Sequence, residues 1–233
     1  MTAERETARF FTAFAAAMIW CGVLLQLYLS LGLSLANGKT VAEGLIIYFG
    51  YFTILTNLLV AVVLTVPAAV PASRAGRFFS RPGVRTATAA AITLVGLAYF
   101  FLLRKVWNPQ GWQLVADWVL HYLTPILFLA CWWIAVPKEG LRWPHVGAWA
   151  SYPLGYFVYM LIRGELTGLY PYHFLDVGSL GYGRTLTNGL GVLVGFVLVS
   201  LLLLLAGRWQ RSLTAGEDPA QQRHAADGAT RRR

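Results

Sequence analysis

Charge is what this chain has least of: 12% of its 233 residues are Asp, Glu, Lys or Arg, and only ten are acidic. A soluble globular chain carries about 25%, so the composition argues against a water-facing fold. Cysteine is almost missing as well. Cys21 and Cys131 are the only two and sit in different apolar runs, which excludes a disulfide framework and a thiolate metal site and leaves two buried free thiols. Histidine is scarce too, and His121 alone falls inside an apolar run. Haem held by paired histidines is thereby excluded, and no lysine lies deep enough in a run to carry retinal.

What the chain has in quantity is apolar surface: 57% hydrophobic residues and a mean hydropathy of +0.57, with nine Trp and eleven Tyr of the kind that mark helix ends at a membrane interface. The expected fold class is all-α, a polytopic membrane protein built as a six-transmembrane-helix bundle. A crossing needs about 20 apolar residues, and the segments near 10–34, 42–66, 86–104, 113–136, 146–163 and 186–206 approach or exceed that length. The runs are continuous rather than alternating, which excludes a barrel. The first is too long for a signal-peptide core of about 7–15 residues.

Six crossings put both termini on one side. That side holds 14 of the Lys and Arg residues, among them Arg74, Arg77, Arg81, Arg85, Lys138 and Arg142, and the other holds 5: Lys39, Arg104, Lys105, Arg163 and Arg184. By the positive-inside rule both ends are cytoplasmic, in an integral protein of a bacterial cell membrane. The net charge of +9 is spread over connectors and tail, so it reads as a topology signal and a contact for membrane lipid, with no nucleic acid partner. The expected division is a membrane domain over 1–207 and a disordered basic cytoplasmic tail over 208–233.

Polar residues inside apolar runs are costly and point to function. The stretch from Tyr48 to Val60, YFGYFTILTNLLV, carries Thr53, Thr56 and Asn57; the fourth run carries Asp117 and His121, four residues apart and so on one helical face. Thr53 lies roughly 18 Å and His121 roughly 12 Å from the outer end of their helices at 1.5 Å per residue, close enough in level to meet. A hydroxyl, an imidazole and a carboxylate are the parts of nucleophilic acyl transfer. Thr53 is the candidate nucleophile, His121 the base and Asp117 its orienting group, with Asn57, or Tyr122 or Thr56 with less support, as donor to an oxyanion. The plain alternatives are a threonine bonded to its own helix, an asparagine joining helices, and an Asp117 paired with Arg104 or Lys105. The loop RGELTGLYPYHFLDVGSLGYGR supplies a lid or substrate-facing wall through Tyr170, Tyr172, His173 and Asp176, or an interfacial belt. Zinc catalysis takes about three protein ligands, and the outer side offers only His121, His173 and Asp117 or Asp176. No metal and no cofactor are expected.

The order and spacing of YFT followed by ILTN, of LHYLTP and of YPYHFLDVG resemble the androgen-induced and androgen-dependent membrane proteins, which are intramembrane threonine hydrolases, and their six-helix bacterial relatives, over about residues 10–206. The resemblance implies metal-independent hydrolysis of a lipid ester substrate, in the animal members fatty acid esters of hydroxy fatty acids. It implies Thr53, after Tyr51 and Phe52, as the threonine, and His121, before Pro125, as the histidine; Asp117 is added by the helical spacing alone. A small-molecule transporter is the first alternative, disfavoured by almost purely apolar inner helix halves and the lack of an internal repeat. A non-catalytic membrane scaffold is the second.

Overall fold

The structure, a computed structural model, describes residues 3–216, and every regular element among them is helical. The first helix, α1 (Ala3–Ala36), leads to α2 (Val41–Tyr48), which opens on a capping box: the Thr40 hydroxyl accepts the Glu43 N–H, and the Glu43 carboxylate accepts the Thr40 N–H. After a break come α3 (Phe52–Ala69) and the short α4 (Arg74–Phe79), which starts on Ser73. Proline begins α5 (Pro82–Ala98), where its missing N–H costs nothing, and the helix runs on into a π turn at Tyr99–Leu103. A second rod is continuous through α6 (Trp112–Trp118), a π turn at Val119–Leu123 and α7 (Thr124–Ala135). The next helix, α8 (His145–Thr167), stops at Gly168, whose left-handed φ of 68° suits a residue without a Cβ. A 3₁₀ turn at His173–Leu175 feeds α9 (Val177–Gly216), which is kinked at Gly181.

Five of these stretches are long and apolar enough to cross a membrane: Glu6–Ala36, Phe52–Ala69, Pro82–Leu103, Trp112–Ala135 and Val177–Leu213. The segment expected at 146–163 is helical as part of α8, but Tyr152, Pro153, Tyr156, Tyr159 and Arg163 dilute it below the others.

The centre of the molecule is α5, which packs on α3, α7, α8 and α9, while α1 covers α2, α3, α6 and α7. Small residues make that crowding possible. Ala89, Ala90 and Ala91 are fully buried, and a Cβ on Gly96 would stand 3.3 Å from the His121 carbonyl oxygen, so α5 passes hard against the histidine's own backbone.

Three expectations change. The run expected as one helix over 42–66 is two helices with a break at Phe49–Tyr51. Helix α9 continues to Gly216, into the segment expected as a disordered tail, and the rest of that tail lies outside the described residues. Of the two thiols expected to be buried, Cys131 is, whereas Cys21 is exposed, because α1 packs on one side only.

Candidate active site

The site is built on the break. Gly50 is buried where α2 ends, and a Cβ there would meet the Cζ atom of Arg163 at 2.8 Å, so the close approach of that guanidinium requires glycine. Interrupting a helix leaves carbonyls without partners, which apolar surroundings penalise. Tyrosines of α8 supply them: the Tyr156 hydroxyl donates to Gly50 O at 2.9 Å and that of Tyr159 to Phe49 O at 3.3 Å. Arg163 itself is buried and donates from Nη1 to Leu169 O at 2.6 Å, tying the loop after α8 to the break.

The break changes what Thr53 can do. Thr12, Thr65, Thr86, Thr88 and Thr93 each donate their hydroxyl to the carbonyl four residues back, the usual fate of a threonine inside an apolar helix. Thr53 is the second residue of α3, and the carbonyl four back, Phe49 O, accepts from Tyr159 instead. Its Oγ1 lies 3.4 Å from His121 Nε2. The amides of the first turn of α3 have no helical acceptor and add the positive end of the helix dipole beside that oxygen.

His121 is held on its other side by Asp117. Nδ1 is 3.2 Å from Asp117 Oδ1 and 3.1 Å from the Asp117 backbone oxygen, so Nδ1–H is the tautomer that satisfies both, leaving Nε2 to accept from Thr53. The Asp117 side chain is 3% exposed and that of His121 14%, so the imidazole is the more accessible of the pair. The carboxylate does not pair with Arg104, whose guanidinium lies 3.7 Å from the centroid of the Phe100 ring. Its second oxygen takes the Tyr99 hydroxyl at 2.5 Å, and the Tyr99 ring stacks on His121 with centroids 4.0 Å apart. Tyr99 and His121 each sit in a π turn. The extra residue in such a turn re-aims side chains that a regular helix would send elsewhere, which is why these turns gather at functional sites.

The remaining expected site residues divide. Asn57 is fully buried and its Nδ2 donates to Thr53 O at 2.8 Å and to Leu120 O at 3.2 Å. Both amide hydrogens are spent on backbone, so Asn57 fixes α3 to the His121 segment and has none to offer an oxyanion. Thr56, also fully buried, shares a hydrogen bond of 3.0 Å with the Tyr152 hydroxyl, a link from α3 to α8. Of the loop residues Tyr172 alone reaches the centre: its hydroxyl accepts the Thr53 N–H at 3.3 Å and lies beside the Thr53 side chain, and burial pushes its pKa up. Tyr170 packs on Gly164, His173 is exposed with its ring against Phe174, and the Asp176 carboxylate accepts the Gly178 N–H at the start of α9. Sequence reasoning did not single out Tyr99, Gly50 or Arg163. Glycine in the middle of an apolar run, YFGYF, was the available signal for the break.

Thr53, Asp117 and His121 line a cavity of about 420 Å³ together with Gln26, Ser34, Asn37, Lys39, Tyr51 and Tyr172. Among the described residues no three His, Cys, Asp or Glu side chains are grouped to hold a metal ion. The chain matches no protein-family model, no curated protein and no solved structure.

Proposed function

We propose that the chain is an intramembrane hydrolase of lipid esters, with Thr53 as nucleophile and His121 as base, as its resemblance to the androgen-induced threonine hydrolases and their bacterial relatives implies. One observation carries it: a threonine hydroxyl at the start of a helix, without the carbonyl bond that Thr12, Thr65, Thr86, Thr88 and Thr93 make, faces a histidine that a buried aspartate orients.

The chemistry follows from the placement. As Thr53 Oγ1 attacks the ester carbonyl carbon, His121 Nε2 takes its proton and Asp117 stabilises the resulting imidazolium. The developing oxyanion takes the Tyr172 O–H, beside the positive end of the α3 dipole. His121 then gives the proton to the leaving alcohol oxygen. A threonine ester remains, which water attacks with His121 again as base, releasing the acid and restoring the Thr53 hydroxyl. A contact of 3.4 Å between nucleophile and base is typical of a site awaiting its substrate.

Six crossings suit this site, with α8 as the sixth. Leu154, Val158, Ile162 and Leu166 recur every four residues along it and are all exposed, forming an apolar stripe for lipid, while Tyr156 and Arg163 turn inward to serve the break. With the excess of Lys and Arg on the terminal side, both termini are cytoplasmic in a bacterial cell membrane.

The test is labelling of the purified protein by a fluorophosphonate probe, which reports an activated hydroxyl without knowledge of the substrate. Wild type is expected to label, and Thr53→Ala and His121→Ala are expected not to. A folded wild type that stays unlabelled, or a Thr53→Ala variant that labels equally, overturns the assignment.

A further inference from the structure

Thr53 stands in the wall between two cavities. The first, of about 420 Å³, carries His121, Asp117 and the polar edge of Gln26, Ser34 and Lys39. The second, of about 240 Å³, lies where α5, α8 and α9 meet the 3₁₀ turn, and Thr53, Leu103 and Tyr172 line both. No charged residue lines the second cavity. Its hydroxyls belong to Thr53, Tyr156 and Tyr172, which are gathered at the break, and the rest of its wall is Leu94, Val95, Pro153, Phe157, Leu193 and similar groups. It is an apolar sleeve with its one polar end at the nucleophile.

We propose that this second cavity is the acyl-chain subsite, taking the straight hydrocarbon chain of the acid half of the ester while the alcohol half occupies the first cavity. The assignment of halves rests on the hydrolase reading and on proton transfer. The alcohol oxygen must receive its proton from His121 Nε2, and His121 lines the first cavity and not the second. With the carbonyl at Thr53 and the leaving oxygen toward His121, the acyl chain points into the sleeve. The polar groups of the first cavity suit an alcohol half that carries further hydrogen-bonding groups.

A chain drawn from a bilayer is already in hydrocarbon, so moving it into another apolar place yields little by hydrophobic transfer. What the sleeve contributes is shape. Its volume of about 240 Å³ sets a limit on the length of chain it takes, and crowding residues at its wall shorten that limit. Leu193 and Val95 are the specificity-determining positions, since both line the sleeve and neither lines the first cavity.

The experiment is photo-crosslinking in detergent micelles with a hexadecanoyl ester carrying a diazirine near the chain end, on wild type and Thr53→Ala, with peptides mapped by mass spectrometry. Crosslinks are expected within 94–98 and 189–193, and Leu193→Trp, or Val95→Phe if the first does not fold, is expected to lose most of them. Crosslinks confined to 26–39, or to outward residues such as Leu202, or unchanged in both variants, overturn the proposal. In parallel, hydrolysis of chromogenic esters of graded length is expected to peak several carbons shorter in the crowded variant. Absence of all turnover in wild type counts against the hydrolase reading alone, because the crosslink position still decides whether the sleeve takes the chain.

Discussion

Tyr99 holds the second oxygen of Asp117: its hydroxyl donates to Oδ2 while Oδ1 faces His121 Nδ1, so the carboxylate is fixed between two partners. The same tyrosine lays its ring on the imidazole. Aspartate orientation and histidine orientation thus share one side chain.

Removing that hydroxyl tests the arrangement. Tyr99→Phe keeps the stacked ring and is expected to lower kcat by about tenfold with KM little changed, since an orienting group acts in the chemical step. Asp117→Asn is expected to cost more, up to about 10⁴-fold, because an amide in place of the carboxylate favours the wrong tautomer. Ester-hydrolysis kinetics on both variants check the order; equal activity in Asp117→Asn and wild type would remove Asp117 from the site.

Tyr172 and Asn57 are expected to separate by readout. Tyr172→Phe takes away the O–H proposed to serve the oxyanion and is expected to lower kcat by about 10²-fold. Asn57→Ala breaks two buried bonds to backbone and is expected to lower unfolding stability by about 1–3 kcal/mol. Thermal unfolding in micelles, run beside kinetics, tells which variant loses which property.

The pH dependence of stability follows from the burial of Tyr172. Its folded pKa lies above that of the unfolded chain, so the folded state keeps its proton where the unfolded state has lost it. Its contribution is full below about pH 10, the ordinary tyrosine value, and is lost as pH rises from there through the folded value. Wild type is expected to lose more stability than Tyr172→Phe over that range; parallel curves would show that the hydroxyl is not buried.

Gly50 has no room for a side chain. Gly50→Ala places a methyl 2.8 Å from Arg163 Cζ and is expected to destabilise by about 1–3 kcal/mol as the guanidinium is displaced. Activity is expected to fall further than stability, because the start of α3 carries Thr53, the proposed nucleophile. A Gly50→Ala protein with wild-type turnover would show that the break and the site are independent.

Composition and hydropathy were enough for the helical class and most of the long apolar helices, because apolar length is a property of the chain alone. The same holds for the pairing of Asp117 with His121, which one helical turn dictates. Thr53 was legible as a polar exception in an apolar run, yet its hydroxyl is left to face histidine by the break at Gly50, which depends on Arg163, Tyr156 and Tyr159 from a helix about 100 residues later. Asn57 shows the limit of residue type: it was expected to donate to an oxyanion, and only the fold says that Thr53 O and Leu120 O consume its amide hydrogens. Tyr99 left no mark, since a tyrosine near the end of an apolar run is ordinary at an interface and its aim is set by a π turn. Sequence decides which side chains are available and which share a helical face; the meeting of side chains from distant segments depends on how the helices break, bulge and pack.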